Sequence, residues 1–351
     1  MNKTLKTLLA SSLMLCALDT LADGRLEGRI TDAAGKVYFD GARVRIKELN
    51  LESSSSEGGR FQFNSLPAGS YTLMIDYLGA TSVKKIINIR DDLTVKQNVV
   101  IGDNVETLEN VLVVGQAAGA NSSLNKQRAA DNFKSIISAD AMGQFPDDNV
   151  SEALQRVPGV FIQRDQGEGR FVGIRGLSPS LNSSSINGLN LPSPEADTRQ
   201  VALDVIPSGL VESLEVTKSL TPDVDGDSIG GNIEVKSLSA FDRDGKSYQM
   251  SVEGMYSEQA DSVSPKVAGT FTNAFETRAG ELGIAAALSY QERDTATEGV
   301  EAEWYDSRDG GGMKEQQVRG YDVTRTRLGA AVNLEYRPDD LNDYYVKTLY
   351  S

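Results

Sequence analysis

The chain has 351 residues, with 50 acidic against 35 basic side chains, a net charge of −15, one cysteine and no histidine. That acidic balance excludes a basic nucleic-acid-binding surface. The lack of imidazole removes the commonest general base and the commonest metal ligand, so neither a catalytic residue nor a cofactor is expected. Lys3 and Lys6 precede an apolar run from Leu8 to Leu18, and Thr20-Leu21-Ala22 offers a small-residue cleavage site. Residues 1–22 therefore read as a secretory signal, with the mature chain starting near Asp23. Cys16 lies inside that signal, so the mature chain has neither a disulfide nor a thiolate metal site.

Residues 23–101 alternate in period two through Gly28–Thr31, Ala42–Ile46, Arg60–Phe63 and Tyr71–Ile75. Turns such as Glu57-Gly58-Gly59 and Pro67-Ala68-Gly69 separate them, a spacing that predicts a β-sandwich with one modest core. Residues 102–127 read as a linker, acidic at first and small and flexible over Ala117–Asn125. Within it, Val111-Leu112-Val113-Val114-Gly115 is a β-prone run that needs a partner outside the linker, unless it is an end strand of a neighbouring domain.

Residues 128–237 mix helix and strand signals, predicting an α/β unit. Ser138–Met142 and Asn149–Val157 read as short helices, the second with Val150, Ala153, Leu154 and Val157 on one face and stopped by Pro158-Gly159. Val160–Ile162, Phe171–Arg175, Ser185–Asn187 and Ser213–Thr217 read as strands. From 238 the pattern changes to long amphipathic strands. Tyr248, Met250, Val252 and Tyr256 share one face, followed by Val267, Phe271 and Phe275, then Leu282–Tyr290 and Leu328–Tyr336 in alternation, then Tyr344–Tyr350. Aromatic residues near strand ends and Gly, Asp, Asn and Pro turns complete the pattern of an antiparallel membrane barrel. The stretch after Tyr248 holds about five strands at about 10 residues each, too few to close a membrane barrel. The chain is thus expected to be an incomplete barrel, truncated and unable to transport alone.

Two further sites are weighed on chemistry. Asp223, Asp225, Asp227 and Glu234 stand where a calcium loop places acids, but Ser228 and Gly230 occupy the wrong positions and flanking helices are missing. A solvated acidic turn fits better. Arg175 interrupts an apolar strand, and a buried arginine must be paired. Glu212 or Glu215 is the expected partner of that ion pair, the alternative being a partly exposed strand arginine with a loosely held carboxylate.

Residues 28–71, in the order Gly28, Asp32, Gly35, Gly41-Ala42, Gly59-Arg60-Phe61 and Leu66-Pro67-Ala68-Gly69-Ser70-Tyr71, resemble the carboxypeptidase regulatory-like domain. That implies a prealbumin-like sandwich of about seven strands, not a peptidase. Asp148–Val160, Phe171–Gly176, Ile186-Asn187-Gly188, Val211–Lys218 and Ile229–Val235 resemble, in order, the plug of a TonB-dependent outer-membrane receptor. The resemblance implies a Gram-negative outer-membrane transporter of a scarce nutrient. Its sandwich and plug face the periplasm, and a barrel of about 22 strands closes around the plug. It makes Glu109, Asn110, Val111, Leu112, Val113, Val114 and Gly115 a TonB box, the strand that the TonB periplasmic domain would pair with and pull. Arg175, Glu212 and Glu215 become plug residues whose contacts transport would break. The other implied partners are outer-membrane lipid and a small-molecule cargo, an oligosaccharide or an iron-chelating siderophore. Phe145–Asn149 and Ser193–Asp197 resemble a branch linked to oligosaccharide uptake. The alternative is a secreted adhesion or carbohydrate-binding β-rich protein, and fractionation separates the two.

Overall fold

The computed structural model describes residues 24–33, 35, 37–56, 58–102, 114–142, 147–222, 224–226, 228–242, 246–304, 310–339 and 342–351. The signal segment lies outside them, as do Glu109, Asn110, Val111, Leu112 and Val113.

The first domain is a two-sheet sandwich. One sheet runs β4 (Arg60–Leu66), β1 (Gly24–Thr31) and β7 (Thr94–Lys96), with β8 (Val99–Val100) also on β1. The other runs β3 (Leu51–Ser54), β2 (Arg43–Ile46), β5 (Gly69–Asp76) and β6 (Val83–Ile89). Alternation places every second residue inward, so Leu26, Ile30, Val44, Ile46, Phe61, Leu73 and Ile75 form a closed core between the sheets.

A helix follows where the sequence predicted a flexible linker: α1 spans Val114–Ala129, and Val114 and Gly115 form its first turn. It has no apolar stripe. Its hold is polar, and it comes from the domains on either side. The plug then folds as a five-stranded sheet in the order β13 (Leu189–Asn190), β12 (Asn182–Ile186), β15 (Gly231–Ser237), β14 (Val211–Thr217) and β9 (Lys134–Ser138). The short helices are α2 (Ala139–Met142) and α3 (Val150–Leu154). Asn149 caps α3 by accepting the Glu152 amide, and the helix ends earlier than predicted. Its buried Val150, Ala153 and Leu154 join Ile174, Leu203, Leu214, Val216, Ile233 and Val235 in the plug core. A separate hairpin, β10 (Val160–Asp165) and β11 (Glu168–Ile174), projects beside it.

The last body is an open antiparallel sheet in sequential order: β16 (Ser247–Ser257), β17 (Ser262–Thr277), β18 (Gly280–Trp304), β19 (Met313–Arg337) and β20 (Tyr344–Tyr350). Odd-numbered residues of β18 and β19 face the plug, including buried Ala285, Ala287, Ser289, Gln291, Ala331 and Asn333. The opposite face carries Leu282, Leu288, Tyr290, Leu328, Val332 and Leu334, all exposed. From Leu282 to Tyr290 that apolar band runs about 27 Å along the strand. At the usual strand tilt that covers about 20 Å of the ~25 Å apolar band of an outer-membrane barrel. Beyond it, β18 and β19 stay paired as far as Trp304 and Met313, past the end of the band. Among the described residues no helix is long and apolar enough to cross a membrane.

Candidate functional site

The buried charges between the plug and the barrel wall concentrate at one point. Strands β10 and β11 are joined by Gln166 and Gly167, both at positive φ, +50° and +87°. A two-residue turn of that kind twists with its strands and sets Asp165 opposite Glu168. The tip is pressed against the wall: a Cβ on Gly167 would lie 2.8 Å from the Thr297 methyl of β18. Glu168, fully buried, is thereby delivered to the inward face of the barrel.

Three arginines of that face converge on it. Arg325 donates to Glu168 Oε2 at 2.7 Å, Arg327 donates to both carboxylate oxygens, and Arg293 lies 3.4 Å from Oε1. Arg293 also reaches Asp148 at 2.7 Å, and Arg325 donates to the Gln166 side chain at 3.2 Å. The register explains the convergence. Arg293 is directly opposite Arg325, and Gln291 opposite Arg327, so all three guanidiniums line one inward patch. Like charges opposed across a ladder repel, and Glu168 is the counter-charge that lets them coexist. Burial alone would raise its carboxyl, but Arg327, Arg325 and Arg293 outweigh that and hold the pKa below the ordinary glutamate value. Asp148 goes the other way. Its burial outweighs Arg293 and Lys266, and its pKa is raised.

Just behind its tip the same hairpin is tied to α3. Arg164 donates to both Glu152 oxygens at 2.7 and 2.9 Å, and the Gly169 amide donates to Glu152 at 2.8 Å. Close by, Asp147 pairs with Arg156, while its carbonyl accepts from Lys266 of β17 at 3.2 Å and from Ser208 at 2.7 Å.

Arg175 sits elsewhere than predicted. Strand β11 ends at Ile174, and Arg175 turns out of it at φ +57° with its side chain exposed. It pairs with neither Glu212 nor Glu215. Its guanidinium donates to the Gly230 carbonyl at 3.1 and 2.9 Å and to the Ile229 carbonyl at 3.2 Å, strapping β11 to the entry of β15. Glu215, almost fully buried, is held instead by Lys134 at 2.8 Å and Lys236 at 3.1 Å. That triad bolts together β9, β14 and β15. Glu212 lies half-buried at the irregularity in the β14–β15 ladder. Among the described residues no acidic group could hold a metal, and Glu234 of the acidic turn accepts from Ser185 and from the Gly188 amide.

Sequence reasoning missed Glu168. It lies in a Gly-Glu-Gly turn that offers no phosphate-binding signature, and its partners are more than a hundred positions away. A signal was present all the same: Arg293, Arg325 and Arg327 fall at inward positions of amphipathic strands, where three cations must find a carboxylate.

Residues 126–232 match the TonB-dependent Receptor Plug Domain, and residues 26–113 match the CarboxypepD_reg-like domain. No curated protein matches the chain. Among solved structures it is similar to the siderophore receptor PirA from Acinetobacter baumannii, at 14% identity and TM-score 0.43, over 68% of this chain and 33% of that one. It is also similar to the unliganded ferric citrate transporter FecA, at 16% identity and TM-score 0.40, over 64% of this chain and 40% of that one. The chain thus spans a third to two fifths of the length of those receptors. With a regulatory-like sandwich, a TonB-dependent receptor plug domain and an open amphipathic sheet in that order, the chain carries the domains of a TonB-dependent receptor fragment.

Proposed function

We propose that this chain forms the energised gate of an outer-membrane receptor that takes up a scarce nutrient, an oligosaccharide or an iron chelate. The observation that carries the reading is the Glu168 junction. The plug tip is held to the barrel wall by buried charge, a contact that is strong in place and lost all at once when the geometry shifts. In this reading the TonB periplasmic domain adds Glu109–Gly115 to a sheet edge through backbone hydrogen bonds and pulls. The Arg175 strap and the Glu215 triad are the plug's internal resistance to that load. No covalent chemistry is involved, outer-membrane lipid surrounds the apolar band, and the sandwich and plug face the periplasm.

The test is a capture assay with the purified TonB periplasmic domain. Val113→Pro removes a backbone donor and fixes φ, so it should abolish capture while leaving the folded chain unchanged by circular dichroism. Capture that survives the proline would move the box elsewhere. Cell fractionation is the companion measurement: release of the chain into the medium, instead of retention in the outer membrane, would favour a secreted β-rich protein.

A further inference from the structure

The sandwich is not a loosely tethered spacer. It touches the rest of the chain in two places that share no residue. The first is α1. Asn125, buried on the helix, reads the Leu78 peptide as a neighbouring strand would: its Oδ1 accepts from Leu78 N at 3.0 Å and its Nδ2 donates to Leu78 O at 3.3 Å. Lys126 reaches Asp40 at 3.3 Å. Burial disfavours its ammonium, but Asp40, Asp242 and Glu215 outweigh that and keep it charged. Gly41, at φ +74°, lets the two backbones meet. A Cβ there would fall 2.6 Å from the Asn125 carbonyl carbon and 2.7 Å from Lys126 N.

The second place is the rim of the barrel sheet at its short turns. Tyr38 donates to Glu281 at 3.0 Å, and Arg60 donates to Asp343 at 2.8 Å. Between them lies Arg337, almost fully buried. It is bonded to Asp343 at 2.7 Å and sits 3.8 Å from the Phe241 ring centroid and 5.4 Å from that of Tyr38.

Helix α1 in turn lies against β9, the edge strand of the plug sheet. Gln127 donates to the Ile136 carbonyl at 3.4 Å, and a Cβ on Gly119 would meet Asp140 at 2.6 Å and Ser138 at 3.2 Å. The helix has no apolar face with which to hold itself there. An exposed helix with few apolar contacts is marginal without tertiary support.

We propose that the sandwich is a clasp that keeps α1 seated on β9, so that α1 and β9 can leave the plug only after the sandwich lifts from the barrel rim. That order bears on transport only through the function proposed above, since Val114 and Gly115, the last two residues of the proposed TonB box, are the first turn of α1. The clasp itself is a property of the folded chain and is measurable without TonB or cargo.

The experiment is hydrogen exchange on the full chain in detergent micelles, read at α1 and β9. Arg60 and Tyr38 touch neither element. Arg60→Glu should nevertheless speed exchange of α1 and β9 amides about two- to fivefold, the range that one half-exposed ion pair supports. Arg60→Lys, which keeps a cation for Asp343, should change it less. Tyr38→Phe, which keeps the ring and loses the bond to Glu281, should act in the same direction, and exchange in β4 and β5 should report that the sandwich stays folded. If the rim peptides loosen while α1 and β9 keep their protection, or if nothing changes, the sandwich does not hold the helix and the proposal is overturned.

Discussion

The barrel sheet is gripped at two ends by opposite means. On the tip side one carboxylate of the plug is buried among three guanidiniums contributed by two neighbouring strands. On the turn side the sandwich holds the sheet through spread, half-exposed contacts, Tyr38 with Glu281 and Arg60 with Asp343. Exposed or half-exposed pairs contribute about 0–1 kcal/mol each, whereas leaving a buried charge unpaired costs about 3–5 kcal/mol. The spread contacts can therefore open one after another, while the buried junction fails as a unit. A load applied from the turn side meets the weaker, divisible attachment first.

The strongest way to break this comparison is Glu168→Ala. It leaves Arg325 and Arg327 without their carboxylate on the barrel's inner face and Arg293 with Asp148 alone, so the β10–β11 hairpin should lose about 3–5 kcal/mol of docking stability. Limited proteolysis of the hairpin in the detergent-solubilised chain reads it, and a cleavage rate equal to wild type would make the tip as weak as the rim.

Next is Gly41→Ala. A methyl group there collides with the α1 backbone, and the left-handed φ adds strain, together about 1–3 kcal/mol against the sandwich–helix contact. The urea midpoint of the sandwich itself should move less than exchange in α1 does. Equal movement of both would mean that the glycine serves the sandwich turn alone.

Arg175→Ala should cost only about 0.5–1.5 kcal/mol, because the exposed guanidinium bonds two carbonyls and no buried charge is left behind. A urea melt of the full chain showing a loss of about 3–5 kcal/mol would point to a buried ion pair after all.

The smallest expected effect is that of mild acid. Glu168 has a depressed pKa, so its stabilisation is complete above the ordinary glutamate value and is lost only as pH falls through its lower folded one. Asp148 has a raised pKa, so protonating it as pH falls relieves a cost. Hairpin protection should therefore hold from neutral pH down to about pH 4.5 and decline below it. A loss between about pH 7 and 5 would show that another group governs the junction.

The barrel faces were legible because β17, β18 and β19 bury one side where they meet the plug and expose the other, which writes the structure into every second residue. Tyr248, Met250 and Val252 lie on the exposed face as the alternation requires. The plug strands around Phe171 and Leu214 were legible for a related reason, being apolar runs bounded by turns. Helix α1 was not, since its small and polar residues carry no periodic stripe, and Asn125 and Lys126 bond to groups that only the folded sandwich presents. Arg175 was misread because its neighbours Ile174 and Val172 suggested a continuing strand. A positive φ ends β11 one residue earlier, which moves the guanidinium out of the core and onto a loop. The Glu168 junction required knowing which barrel strands face the tip, and that is set by register across the whole sheet.

The paired arm formed by β18 and β19 continues about 45 Å along the strand beyond Tyr290. Val318 and Trp304, both well exposed, lie on that outer part of the arm. Its inner side continues into the arginines around Glu168 without a break in pairing. The outer arm and the buried junction thus share the same two strands, so a tilt of the arm shifts the guanidiniums that hold the plug tip.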